Sequence, residues 1–349
     1  MLDSNRTSSY GWSGLLLLLA LAGCTTLSHD PSALKTLEWK QAAWQSLQGN
    51  LKIPLSRRML ALPDHLLVDV IDAERELGIE SAGSYRTRPP DFSESAEFQS
   101  YLALLPGSYI ELMRNKLLGI FLVENFAGAG LSDWVLDEQG NTFYYMILNP
   151  DLFRHSIDQW MSYREDSIFE PRKGPDDHHI RVTTWVDHSA MLYALLHEGA
   201  HLIDYEHGIT PVVEELFSRV NDRRPIESPF ADKIWTSQSQ PLPIYDFAGR
   251  DQLNAYAIFP QRGRIPRREV PRLFEDLRLT PFVSFYAATS WNEHLADYVM
   301  YWHIEHHLLG RVSLQLWRGD TLIDQYQPLL ATLQADDRRV LRIIYGEER

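Results

Sequence analysis

The chain has 349 residues, 44% hydrophobic and 11% aromatic, enough to build one large domain or two ordinary ones around a buried core. Its formal charge of -14 at pH 7 argues against wrapping a polyanion, which needs clustered Lys and Arg, so nucleic acid is not an expected partner. No repeat at a fixed period of roughly 20 to 50 residues appears, which excludes a solenoid or a propeller.

The N-terminus reads "MLDSNRTSSYGWSGLLLLLALAGCTT". Its apolar run, residues 15–22, is far shorter than the roughly 20 residues a helix needs to cross a bilayer, and suits the apolar stretch of an export signal. The segment "LAGC" resembles the lipobox of bacterial lipoproteins. That resemblance implies removal of residues 1–23 as a signal peptide and lipid attachment to Cys24. The leader departs from the pattern, because Arg6 is offset by Asp3. Cys24 is the only cysteine, so no internal disulfide can form, and a lipid anchor is a consistent use for its thiol. An ordinary signal peptide or an uncleaved anchor is the alternative reading. Thr25 stands where Asp would direct retention elsewhere, so the resemblance implies an outer-membrane lipoprotein facing the periplasm, with the membrane as a partner through Cys24.

After a short tether, "HDPSALKTLEWKQAAWQSLQGN" predicts a helix with Asp30 as N-cap, Pro31 at its first position, and Leu34, Leu37, Trp44 and Leu47 on one side. A second is expected in "PDHLLVDVIDAERELG", ended by Gly78. The more apolar "LPGSYIELMRNKLLGIFLVENF" reads as a third, buried one. Residues 24–130 thus form an N-terminal helical region. In "DWVLDEQGNTFYYMILNP" two apolar runs flank a turn signal with Gly140 and Asn141, which predicts a hairpin. "PDDHH", with His178, reads as a polar loop before the β-like run "IRVTTWV" at 180–186. Asp187 is the expected N-cap of the next helix, "HSAMLYALLHEGAHLIDYEH", closed by Gly208. Residues at about 221–272, rich in Pro, Arg and Ser, predict a looped insertion long enough to cover a cleft. "TSWNEHLADYVMYWHIEHHLL" returns to helix, with its last histidines read as solvated surface, and "ADDRRVLRIIYGEE" adds a short terminal one.

The chemistry concentrates in "HEGAHLIDYEH", residues 197 to 207, which holds three histidines and three carboxylates. On a helix His197 and His201, four residues apart, share one face and reach a single Zn2+, while Glu198 points to the neighbouring face. This resembles the H-E-x-x-H arrangement of metallopeptidases, in which the Glu takes a proton from water. A catalytic zinc takes three protein ligands and leaves one position open, so a third ligand is required downstream.

In "WNEHLADYV" Glu293 and Asp297 lie four residues apart. The segment resembles the N-E-x-x-x-D helix of the gluzincins, the thermolysin-like branch of the zincins. That likeness implies Glu293 as third ligand and Asp297 as the carboxylate that orients a ligand histidine. His207 is the alternative, because the stretch also fits the ligand spacing of the metzincins. There Asp204 replaces the Gly that permits the return turn, and Met300 makes a poor Met-turn. Glu293 also fits a capping box with Ser290. Glu214 and Glu215 are further ligand candidates.

The resemblance covers two helices and implies a mainly helical α+β, zincin-like domain in residues 131–349, with a small sheet beside the first helix. It implies one Zn2+ per chain, Glu198 as general base and a peptide or protein substrate, with murein peptides among the candidates. An electrophilic helper is sought near the ligand helix: Tyr286 first, then Tyr298, Tyr301, His294 and His303. The function expected is a zinc metallopeptidase of the bacterial envelope. The alternative is a zincin-fold lipoprotein without turnover that serves as a binding or scaffolding module.

Overall fold

The computed structural model describes residues 31–76, 84–211, 215–221, 228, 230–256, 264–332 and 337–346. The leader with Cys24, the Asp30 cap, Gly78, Glu214 and the side chain of Glu215 lie outside the described residues. In chain order come α1 (Pro31–Leu47), β1 (Met59–Leu60), α2 (Asp64–Glu76), β2 (Arg86–Arg88), α3 (Phe92–Leu102), α4 (Gly107–Lys116), β3 (Leu117–Glu124), β4 (Gly130–Leu136) and β5 (Thr142–Leu148). Then follow α5 (Ile157–Ser167), β6 (His178–Thr183), α6 (Ala190–His207), α7 (Glu215–Val220), β7 (Trp235–Ser237), β8 (Gln240–Pro241), α8 (Arg250–Tyr256) and α9 (Val270–Arg278). The described chain closes with α10 (Trp291–His306), β9 (Ser313–Arg318), β10 (Thr321–Tyr326), α11 (Pro328–Thr332) and α12 (Asp337–Tyr345). Helices and small sheets are mixed, so the architecture is α/β in the broad sense.

The third expected helix is half strand. Polar residues end at Lys116, and "LLGIFLV" offers no solvent face to a helix; a strand buried on both sides accepts such a run. Leu117 accordingly turns extended (φ -82°, ψ 117°) and starts β3. The strand pairs in parallel with β1 and β5 and antiparallel with β2, and β5 pairs antiparallel with β4, as the hairpin signal predicted. The order is β1-β3-β5-β4, with β4 at the edge. Alternate residues then face opposite sides: Phe121, Val123 and Ile147 join Trp44 and Leu47 of α1, while Ile120, Leu122, Met146 and Leu148 join the larger core around α6.

A second, antiparallel sheet runs β10-β9-β6, and a small hairpin pairs β7 with β8. His178 and His179 belong to β6 rather than to a polar loop; His179 is buried and its ring stacks on Trp317. Ser189, not Asp187, holds the N-cap position of α6, without a capping bond from its side chain, and the helix runs to Gly208, whose left-handed backbone (φ 60°, ψ 52°) ends it. Ala190 to Asp204 are all buried except His201, because α6 packs against β4 on one side and α4, α5 and α10 on others. The expected division at 130/131 falls inside β4, and β3 pairs with β5 across it.

Candidate metal centre

His197 and His201 share the α6 face that meets α10, and their rings lie 4.9 Å apart edge to face. α10 enters with Ser290 as N-cap, whose Oγ accepts from the Glu293 backbone N–H at 3.3 Å. The Glu293 side chain does not return to close a capping box. Its Oε2 stands 3.0 Å from His197 Nε2 and 3.6 Å from His201 Nε2 instead. A tetrahedral zinc with bonds of about 2.0 to 2.2 Å needs neighbouring ligand atoms about 3.3 to 3.6 Å apart. The two distances bracket that span, and one ligand atom from each of the three residues lies within 4.8 Å of the others.

The protonation pattern also fits a cation. His197 Nδ1 lies 3.0 Å from Asp297 Oδ1, so its N–H faces a carboxylate, and the neutral ring then aims the Nε2 lone pair at Glu293, a second acceptor. Two acceptors at 3.0 Å repel unless a proton or a metal ion lies between them. Without the ion the ring keeps the proton: burial pulls the His197 pKa down, but the hydrogen bonds to Asp297 and Glu293 outweigh it and push it up to about 10. His201 moves up as well, with Glu293 overcoming its burial. Glu293 is held well below the usual carboxylate range by both imidazoles against the opposing effect of burial. Asp297, although buried, is held to about 2 by Arg164 and His197.

Glu198 leaves this group and faces β4. Ser132 Oγ lies 2.8 Å from its Oε2, to which it donates, and 3.1 Å from its backbone carbonyl oxygen. Gly130, next to it on β4, carries no Cβ, which would stand 3.0 Å from Glu198 Oε1. Between β4 and the start of α10 opens a cleft of about 320 Å³, into which His197, His201, Glu198 and Glu293 all face. Its far wall includes Gln238, from the hairpin of β7 and β8, whose carbonyl accepts from Trp291 N at 3.0 Å. The expected looped insertion therefore carries short elements and borders the cleft.

Tyr286 also lines the cleft, its ring 5.9 Å from that of His197, and burial raises its phenol well above the usual value. The other helper candidates do not reach the cleft. Tyr298 and Tyr301 are in the core; His294 is buried, faces Trp235 Nε1 at 3.3 Å, and is driven down to about 4 by burial. His303 is buried rather than solvated, and stacks with His307 and Tyr345. His207 is exposed at the last position of α6 and stands outside the ligand group. The reason is Asp204: a Cβ-bearing residue there continues the helix, and its carboxylate accepts from Thr210 N (2.7 Å) and Thr210 Oγ1 (2.5 Å).

Three contributors escaped the sequence reading: Ser132, Ser284 and Arg164. Ser284 Oγ donates to Asp297 Oδ2 at 2.5 Å, and Arg164 forks onto both Asp297 oxygens at 2.9 and 2.6 Å. Arg164 did carry a signal. It occupies the apolar stripe Ile157, Met161, Ile168 of its segment, where a charge is buried and needs a partner. Comparison with known proteins adds nothing to these contacts: no family model, no curated protein and no solved structure matches the chain.

Proposed function

We propose that the chain is a zinc-dependent hydrolase of peptide bonds, built on a zincin-like arrangement and tethered to a bacterial envelope membrane through a lipidated Cys24. The observation that carries the reading is the convergence of Glu293 Oε2 on the Nε2 atoms of both His197 and His201, from a helix distant in sequence. His197, His201 and Glu293 hold the ion, and Asp297 fixes the tautomer of His197. When bound, zinc supplies Lewis acidity, which lets water lose a proton near neutral pH and polarises a carbonyl.

The protein groups do the rest. Glu198, hydrogen-bonded to Ser132 and outside the ligand set, accepts the proton of the attacking water and returns it to the leaving amine. Tyr286 lies on the cleft wall as the group placed to donate to the developing oxyanion. A peptide suits the cleft because β4 borders it as an edge strand, and an edge offers backbone groups to an extended chain. Murein peptides of the envelope are the first substrates to try.

The soluble form, residues 25–349, is expected to carry about one zinc per chain. Glu198→Gln should keep that zinc and lose cleavage of a peptide library by roughly 10² to 10⁴-fold, the share of a general base. Zinc bound without any Glu198-dependent product identifies a zincin-fold binding module instead.

A further inference from the structure

Arg164, on α5, is a buried cation with about 10% of its side chain exposed; it neither lines the cleft nor belongs to the ligand group, and its guanidinium lies over the ring of the cleft residue Tyr286, 4.9 Å from the centroid. Its guanidinium has five N–H donors in one rigid plane. Nη1 donates to Asp297 Oδ1 at 2.9 Å and to the Tyr193 phenol oxygen at 2.6 Å; Nη2 donates to Asp297 Oδ2 at 2.6 Å; Nε donates to Glu165 Oε1 at 3.0 Å. Asp297 Oδ1 is also the oxygen that meets His197 Nδ1. Any twist of this carboxylate about its own bond therefore turns the imidazole whose other nitrogen faces the ion. Tyr193 lies one helical turn before His197 on α6, so the same guanidinium is braced against the helix it serves.

We propose that Arg164 is a positioning residue of the zinc site, whose planar fork locks Asp297 and, through Asp297, sets the His197 ring with Nε2 toward the ion. This rests on the zinc-hydrolase reading. A lysine at 164 keeps the charge but is a point donor, unable to hold both oxygens in one plane. If Arg164 only neutralised the buried carboxylates Glu165 and Asp297, charge would suffice and geometry would not matter.

The test is a double-mutant cycle on zinc affinity, read by competition with a chelator in the full chain, with circular dichroism to check the fold. Arg164→Lys and Asp297→Asn are each expected to weaken zinc binding about 10 to 100-fold, the usual effect of losing an outer-shell partner. The double variant is expected to bind no more weakly than Asp297→Asn alone, because Arg164 acts only through that carboxylate. Losses that multiply in the double variant, or parental affinity in Arg164→Lys, overturn the proposal. Should Arg164→Lys not fold, Arg164→Met in the Asp297→Asn background replaces it. Affinity equal to Asp297→Asn then supports the proposal, and a further drop overturns it. A parent chain that binds no zinc removes the hydrolase reading together with this one, whereas a zinc-binding parent with unaffected variants removes this one alone.

Discussion

His197 is flanked by two carboxylates, and in the ion-free protein it holds a proton that the unfolded chain gives up. Its pKa rises from 6.5 to about 10 in the folded state, so the native chain binds the extra proton between those values. Stability then falls as pH rises, because the slope follows protons bound in the unfolded minus the native state. The contribution is complete below about pH 6.5 and gone above about pH 10. Chelator-treated protein should therefore lose melting temperature steadily across that window, while zinc-loaded protein, whose imidazoles carry no such proton, should lose much less. A flat profile for the ion-free form would remove this account. The sequence disclosed His197, His201, Glu293 and Asp297 because each pair sits four residues apart on one helix, a relation that spacing alone encodes. It does not disclose Ser132 or Ser284, small polar residues without a spacing pattern, and of Arg164 it shows only a charge on an apolar stripe, since its partner Asp297 meets it only after folding.

At the scale of elements, α6 is the member everything else is fitted to. Gly199, inside "HEGAH", is where α4 comes closest: a Cβ there would lie 2.4 Å from two ring atoms of Tyr109, itself fully buried. Gly199→Ala must push that ring or the helix aside, at a cost of about 1 to 3 kcal/mol for overpacking. The expected outcome is a lower urea midpoint with an unchanged slope; an unchanged midpoint would mean that α4 and α6 yield to the added methyl without cost. The same scale shows where pattern reading fails. The continuous apolar run of β3 satisfies a buried helix and a buried strand equally, and only its pairing with β1, β2 and β5 decides. β9 and β10 escaped too. The hairpin of β4 and β5 was legible, since its turn residues state the connection locally.

At the scale of the molecule, the sheet with β3 at its centre joins what composition had divided. α1 packs on one face, α6 on the other, and β3 lies between β1 and β5 in hydrogen-bonded register. Chains split at 130/131 should therefore not yield two stable halves: the second would lose β3, the parallel neighbour of β5, and the first would expose Leu117, Ile120 and Leu122, which pack into the core around α6. Expression of either half alone is expected to give insoluble protein, whereas the intact chain should unfold through β3 as one unit. The bond between Ser132 on the sheet and Glu198 on the helix layer has a consequence of its own. On the zinc-hydrolase reading proposed above, that one hydroxyl, 2.8 Å from Glu198 Oε2, holds the carboxylate to the sheet and keeps it from swinging inward to become a fourth ligand. Released by Ser132→Ala, Glu198 should be captured by the cation it is meant to serve, giving a protein that grips zinc more tightly and turns over more slowly, a self-poisoned centre that tighter binding paired with a falling rate would reveal.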